Sequence, residues 1–223
     1  MKTDNKMTLA DAAQAGDVRC ARALLDAGAN VHEQNDLALC QAAGQGRFEV
    51  LKLLLDCGAD IHAEYDEPIR EAAASGQIEC VKLLLDRGVA VRVDDDVALL
   101  AAVTNNQVAI VRFLLQKGAN VHARGDEAVR IAAKRGYTSV AKVLIQNGAN
   151  WHAQGDQAFI CAAHNGRTEI VRLLLEAGEH FRSSKDQAFR EAVANGHAEV
   201  AQLLVDCEAA SDSRTTEQPI GMP

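Results

Sequence analysis

The chain is short of positive charge. Its 31 acidic residues outnumber 23 basic ones, a formal charge of −8 over 223 residues, whereas nucleic-acid binders usually concentrate a basic excess on one face. It is also short of long apolar runs. None approaches the ~18 residues that a membrane-spanning helix requires, so no membrane association is expected. The opening residues, MKTDNKMTLADAAQAGD, lack the continuous apolar stretch of a secretory signal. Aromatic residues make up only 4% of the chain. Ala and Leu must then fill the core, which implies helices packed closely on helices. Cysteines stand at 20, 40, 57, 80, 161 and 207 without a C-x-x-C pair. That pattern reads as reduced, partly buried thiols in a cytoplasmic protein. Export into a host cell without a cleaved signal is the alternative location.

What the chain has in abundance is self-similarity, the sign of a repeat architecture. Aspartates recur at 36, 66, 96, 126, 156 and 186, and glycines at 28, 58, 88, 118, 148 and 178. A second glycine series, at 16, 46, 76, 136, 166 and 196, is broken only by Asn106. The period is 30 residues throughout, with no insertion. Seven copies fit, starting near 6, 36, 66, 96, 126, 156 and 186 and ending near 207. Residues 1–5 are expected to be a flexible lead-in, and the Ser-, Thr- and Pro-containing 208–223 a disordered tail.

Each copy reads as two short helices. Asp36 is expected to cap the first, its carboxylate accepting orphan backbone N–H groups. That helix runs LALCQAAG, and the small pair Ala42/Ala43 allows a neighbouring backbone to approach. Gly46 supplies a left-handed turn, for which Asn106 is the usual substitute. The second helix, FEVLKLLLDC, places Val50, Leu53, Leu54 and Cys57 on one face, and Gly58 ends it. ADIHAEY then returns as a loop. A helix pair of this size cannot bury its apolar face alone, so the copies must stack.

The order Ala–Ala, Gly, Glu-Val/Ile-Val, Leu-Leu-Leu, Gly-Ala-Asp/Asn resembles the ankyrin repeat over residues 6 to 207. Pro68 alone keeps the proline of the family's Thr-Pro-Leu-His segment. The resemblance implies an all-α, helix-turn-helix solenoid of about seven repeats. The family's usual unit is three residues longer, and the deficit falls in its β-hairpin finger, so shortened hairpin loops are expected.

Four copies place a histidine in one slot, at 32, 62, 122 and 152. Stacked helices lie roughly 8–10 Å apart, while two nitrogens on one zinc lie within roughly 4 Å. The slot also holds Arg92 and Arg182. The row therefore marks a repeated loop hydrogen bond and not a metal site. The aspartate row fails as a pair of catalytic carboxylates on the same spacing. Arg124-Gly125-Asp126 is a loop pair followed by the repeat's own aspartate. The basic row at 22, 52, 82, 112, 142 and 172 is flanked by acidic partners such as Glu49, Glu79 and Glu169, three residues earlier, and reads as a solvated outer face.

The resemblance also implies a concave groove, lined by the two residues before each inter-helix glycine and by the loop before each aspartate. Candidate partner-binding residues there are Glu64, Tyr65, Glu71, Asp94, Asp95, Arg124, Arg130, Lys134, Arg135, His164 and Asn165. They form an acidic block, with Glu67, followed by a basic one, suited to steering a complementary protein. Tyr65 is the aromatic anchor candidate. Trp151 and Phe181 share one loop slot in successive copies and are expected to pack together. There is no nucleophile beside a base and no phosphate-cradling loop. The expected function is a monomeric, non-catalytic protein-binding module without cofactor, metal or nucleic acid. The competing reading is an inhibitor, immunity or effector protein that blocks another protein's active or binding site.

Overall fold

The computed structural model describes residues 7–176 and 184–215, with side chains described to Cys207. The expectations for residues 1–5, Gly178, Phe181, Arg182 and 216–223 lie outside the described residues. Among those described there are fourteen helices and no strand. They fall into two compact units, 1–123 and 124–223.

The first unit pairs α1 (Leu9–Ala15) with α2 (Val18–Asp26), α3 (Leu37–Gly44) with α4 (Phe48–Asp56), α5 (Ala63–Ala74) with α6 (Ile78–Asp86), and α7 (Val97–Thr104) with α8 (Val108–Gln116). The first helices α1, α3, α5 and α7 pack in series, and the second helices α2, α4 and α6 do the same beside them. Small residues make this possible: Ala42, Ala43, Ala72, Ala73 and Ala102 are fully buried. Leu39, Leu51, Leu54, Ile69, Leu84, Leu99 and Leu114 fill the space between the layers.

The second unit follows the same plan. It comprises α9 (Ala123–Arg135), which opens at the boundary, α10 (Thr138–Gln146), α11 (Ala153–His164), α12 (Thr168–Glu176), α13 (Lys185–Ala194) and α14 (Ala198–Thr215). Leu144, Phe159, Ile170 and Leu174 are its largest fully buried side chains.

The turns behave as their residues require. Gly46 has φ +68° and Asn106 φ +58°, in the left-handed region that Gly and Asn enter at least cost. Two local expectations change. Leu51, not Cys57, completes the buried face of α4. Cys57 follows the last helical residue and is exposed. In the last copy Glu208 stands where Gly would end the second helix, and α14 continues past 207 to Thr215. Glu208, Ala209 and Ala210 are good helix formers, and no Gly or Pro interrupts them.

The place of the shortened finger is taken by three consecutive left-handed residues. In the first unit these are Gln34–Asp36 (φ 51°, 56°, 59°), Glu64–Asp66 (47°, 58°, 62°) and Asp94–Asp96 (44°, 51°, 62°). In the second unit they are Arg124–Asp126 (50°, 66°, 62°) and Gln154–Asp156 (54°, 69°, 61°).

This geometry overturns the capping role given to the aspartates. A capping residue needs extended φ/ψ for its side chain to reach the first-turn amides. At φ near +60° Asp36 and Asp96 make no such bond. The carboxylate instead reaches forward: the Asp60 N–H donates to Asp36 (2.9 Å), the Asn120 N–H to Asp96 (2.7 Å) and the Asn150 N–H to Asp126 (3.0 Å). Asp36, Asp66, Asp96, Asp126 and Asp156 are all buried. The histidine row is its partner: His32, His62 and His152 bring Nδ1 to Asp36, Asp66 and Asp156 at 3.1, 2.5 and 2.6 Å. At Asp36 the two contacts combine into one strut, which joins a loop to its own turn and to the next loop.

A second strut, not foreseen from the sequence, closes the first helices. Their terminal carbonyls have no partner within the helix. Arg47 Nε donates to the Gln14 carbonyl (3.1 Å) and Gln107 Nε2 to that of Ala74 (3.0 Å). In the second unit Arg167 Nε serves Lys134 (3.1 Å), and His197 Nε2 lies 3.0 Å from the His164 carbonyl oxygen. The slot varies in residue type, so identity conceals it. Its common property is a donor at the end of a long side chain.

Candidate functional site

In the first unit the proposed acidic residues ride on the left-handed turns. Glu64, Asp94 and Asp95 are exposed, and Tyr65 is 87% exposed. The Asn35 amide donates to the Glu64 carboxylate, linking consecutive turns. Glu67 forms an ion pair with Arg70 in the first turn after the left-handed segment. Glu71 is half-buried one turn further along α5. These carboxylates reach into the core electrostatically: burial first, then Asp36, Glu64 and Glu71, push the Cys40 thiol up to about 11. Burial and then Glu79 raise Cys80 to about 11 as well.

The thiol arrangement gives a direct test. Only thiolate reacts with an alkylating reagent, and a thiol raised from its usual range to 11 holds roughly 100-fold less thiolate near neutral pH. Exposed Cys57 is therefore expected to be alkylated in the folded protein, with Cys40 and Cys80 reacting at least ~100-fold more slowly until denaturant is added. Mass-spectrometric mapping of the modified cysteines reads this. Equal rates at 40 and 57 in the native protein would show that α3 does not protect its thiol.

In the second unit the candidates separate into two groups. Lys134 and Arg135 close α9 and are exposed, where positive charge suits the carbonyl end of a helix. Arg124 is exposed on a left-handed turn, and Arg130 is held by Glu127 at 3.2 Å. His164 and Asn165 are engaged locally. The His164 ring lies 2.8 Å from Glu191 and 3.2 Å from the Asn195 amide. Asn165 donates to the Cys161 carbonyl at 2.8 Å, capping its own helix. Arg135 also borders a cleft of about 340 Å³ whose other walls include Gly136, Gly166, Arg167 and Glu169.

The remaining motifs find structural employment. Asp126 of Arg124-Gly125-Asp126 is buried and accepts the Asn150 N–H, so it is not presented to a partner. Trp151 is buried, while its expected neighbour Phe181 is not among the described residues. On the outer helix row Lys82 pairs with Glu79 (2.8 Å) and Arg172 with Glu169 (3.9 Å). Lys82 and Lys117 also lie 6.0 and 5.7 Å from the centre of the Phe113 ring, contacts the sequence alone did not suggest. Among the described residues no three of His, Cys, Asp and Glu come together as metal ligands. No described helix is long and apolar enough to cross a membrane.

The ankyrin repeat domain of human ASB11, known from a crystal structure, superposes with a TM-score of 0.75 over 96% of this chain and 99% of that one, at 23% identity. That likeness concerns the fold. No curated protein sequence matches the chain. The family described as Ankyrin repeats (3 copies) matches residues 1–65, 39–125 and 129–215. With nearly every residue so accounted for, the chain belongs to the ankyrin repeat family.

Proposed function

We propose that the chain is a non-catalytic module that binds another protein through its left-handed turns and the exposed ends of its first helices. Ankyrin repeat domains generally mediate protein–protein interaction, and the residues that differ between copies support this choice of surface. The observation that carries the reading is Tyr65. It exposes an aromatic ring at φ +58°, where the matching slots hold Asn35, Asp95, Gly125 and Gly155. A bulky residue at positive φ is an outlier, and residues held in such conformations cluster at functional sites. Tyrosine is among the residues that dominate binding energy at interfaces. In the first unit it is flanked by Glu64 and accompanied by Asp94 and Asp95, which suits a partner segment bearing Lys or Arg. In the second unit Lys134 and Arg135 offer the opposite sign. Glu71 in the first unit, and Arg124 and Arg130 in the second, are further candidates. The reduced cysteines fit a cytoplasmic setting.

The test is site-specific photo-crosslinking. A benzoylphenylalanine at position 65 is expected to give a discrete adduct in a lysate of the source cell. The same residue at Lys52, exposed on the outer helix row, is expected to give none. Adducts identical at both positions, or absent at 65, would remove Tyr65 from the binding surface.

A further inference from the structure

Each left-handed turn of the first unit sends two residues outward and one inward. Gln34, Asn35, Glu64, Tyr65, Asp94 and Asp95 are exposed, while Asp36, Asp66 and Asp96, which close the turns, are buried. Consecutive turns are neighbours. The Asn35 amide reaches the Glu64 carboxylate, 29 residues further on. In the second unit Gln154 Nε2 reaches back over the same interval to the Gly125 carbonyl, at 3.4 Å. The relation that joins Asn35 to Glu64 sets Asp94 beside Tyr65. The outward residues therefore run as a ladder in which one aromatic ring lies between carboxylates, and none of them is basic. Arg92, two residues before Asp94, directs its Nε to the buried Asp96 at 3.7 Å.

The spacing of the ladder selects a conformation. Stacked copies repeat at roughly 8–10 Å. A polyproline II segment has three residues per turn and a rise of about 3.1 Å, so every third side chain returns to one face at ~9.3 Å. A β-strand returns at ~6.6 Å and falls out of step with the turns. An α-helix returns at ~5.4 Å, so its alternate turns would meet the gaps. The chemistry of the ladder selects residues. Aromatic surfaces dock proline-rich segments, and carboxylates one repeat apart attract Lys or Arg at the same interval. Such a segment is already extended before it binds, so docking orders little of it.

We propose, resting on Tyr65 as part of the binding surface, that the turns of the first unit take a basic, proline-rich peptide segment in the polyproline II conformation. Two Arg or Lys residues three positions apart face Glu64 and Asp94, and a proline between them packs on the Tyr65 ring. Each repeat advances the segment by one turn, so the solenoid sets its register. The slots of the second unit that match Tyr65 hold Gly125 and Gly155, which offer neither ring nor charge.

Fluorescence anisotropy of labelled proline-rich peptides, titrated with the full chain, tests this. One peptide carries two arginines three positions apart with prolines between them. A second has the same composition and charge with the arginines adjacent, and a third carries Glu for each Arg. The first is expected to bind at least ~10-fold tighter than the others, and less tightly as salt rises. Glu64→Gln keeps an acceptor for Asn35 in a slot where Gln34 and Gln154 adopt the same turn, and Tyr65→Asn follows Asn35. Each is expected to weaken binding at least ~5-fold, while Lys52→Ala leaves it unchanged. Equal binding of the first two peptides would overturn the register. Failure of all three to bind, or binding indifferent to Glu64→Gln or Tyr65→Asn, would overturn the proposal, as would tighter binding of a basic, proline-free helical peptide. Crosslinking at position 65 separates the two readings. A protein that still crosslinks there when the peptides fail leaves Tyr65 on a binding surface and removes only the polyproline segment. Failure of crosslinking as well removes the surface itself.

Discussion

Asp96→Ala is expected to lower unfolding free energy by about 2–3 kcal/mol, while Asp186→Ala, in the same slot of the last copy, changes it by less than ~0.5 kcal/mol. Asp96 is 2% exposed, accepts the Asn120 N–H at 2.7 Å and has Arg92 Nε 3.7 Å away. Removing its carboxylate strands a part-buried amide and leaves Arg92 without its counter-charge. A bond to a charged acceptor is worth roughly 1.5–3 kcal/mol, and an unsatisfied buried donor costs about 1–3. Asp186 is exposed, so water replaces whatever it loses. Asp96→Asn keeps an acceptor for the amide and should recover part of the loss. Urea unfolding gives the energies, and amide hydrogen exchange at Asn120 localises the effect. The contrast also separates two mechanisms. A capping aspartate would cost about 1 kcal/mol in either copy, and its loss would fray the start of the following helix. Equal costs at 96 and 186 would therefore restore the capping role and dismiss the strut.

That slot shows how far residues alone could be read. The helix pairs followed from period and apolar spacing, because stacking leaves few other ways to bury Leu51, Leu54 and Ala43. Gly46 and Asn106 were readable for the same reason: both residue types enter the left-handed region cheaply. The aspartates were ambiguous on identical grounds, since Asp is favoured both at helix caps and at positive φ. What decides between them is an acceptor for an amide 24 residues away, as from Asp60 to Asp36, and no local pattern encodes that. The arginine, glutamine and histidine of the carbonyl strut share a donor and no name, so the slot looked variable. Cys57 was misplaced because a helical wheel does not know that α4 stops at Asp56. In the candidate surface, exposure of Tyr65, Lys134 and Arg135 was anticipated from repeat position. The engagement of His164 by Glu191 and Asn195 depends on the next copy and was not.

Tyr65→Gly is expected to stabilise the fold and damage binding together, a pairing that few substitutions would give. The left-handed conformation costs a residue with a Cβ roughly 1–2 kcal/mol, and Gly125 and Gly155 adopt the matching φ of 66° and 69° without that cost. Glycine loses more backbone freedom on folding, an offset of about 0.5–1 kcal/mol, so a net gain of roughly 0.5–1 kcal/mol remains. The ring is 87% exposed, and its removal leaves no cavity. Binding should move the other way. An aromatic anchor at the centre of an interface contributes 2 kcal/mol or more, so affinity for the protein crosslinked at position 65 should fall about 30-fold or further. Tyr65→Asn serves as the intermediate case, because Asn tolerates the conformation, as Asn35 does at φ 56°, and still lacks the ring. Calorimetric melting and binding isotherms on the three proteins provide both readouts. A variant that melts higher and binds as well as the parent would show that the strained tyrosine has no part in recognition. One that melts lower would show that the ring rests on the fold after all.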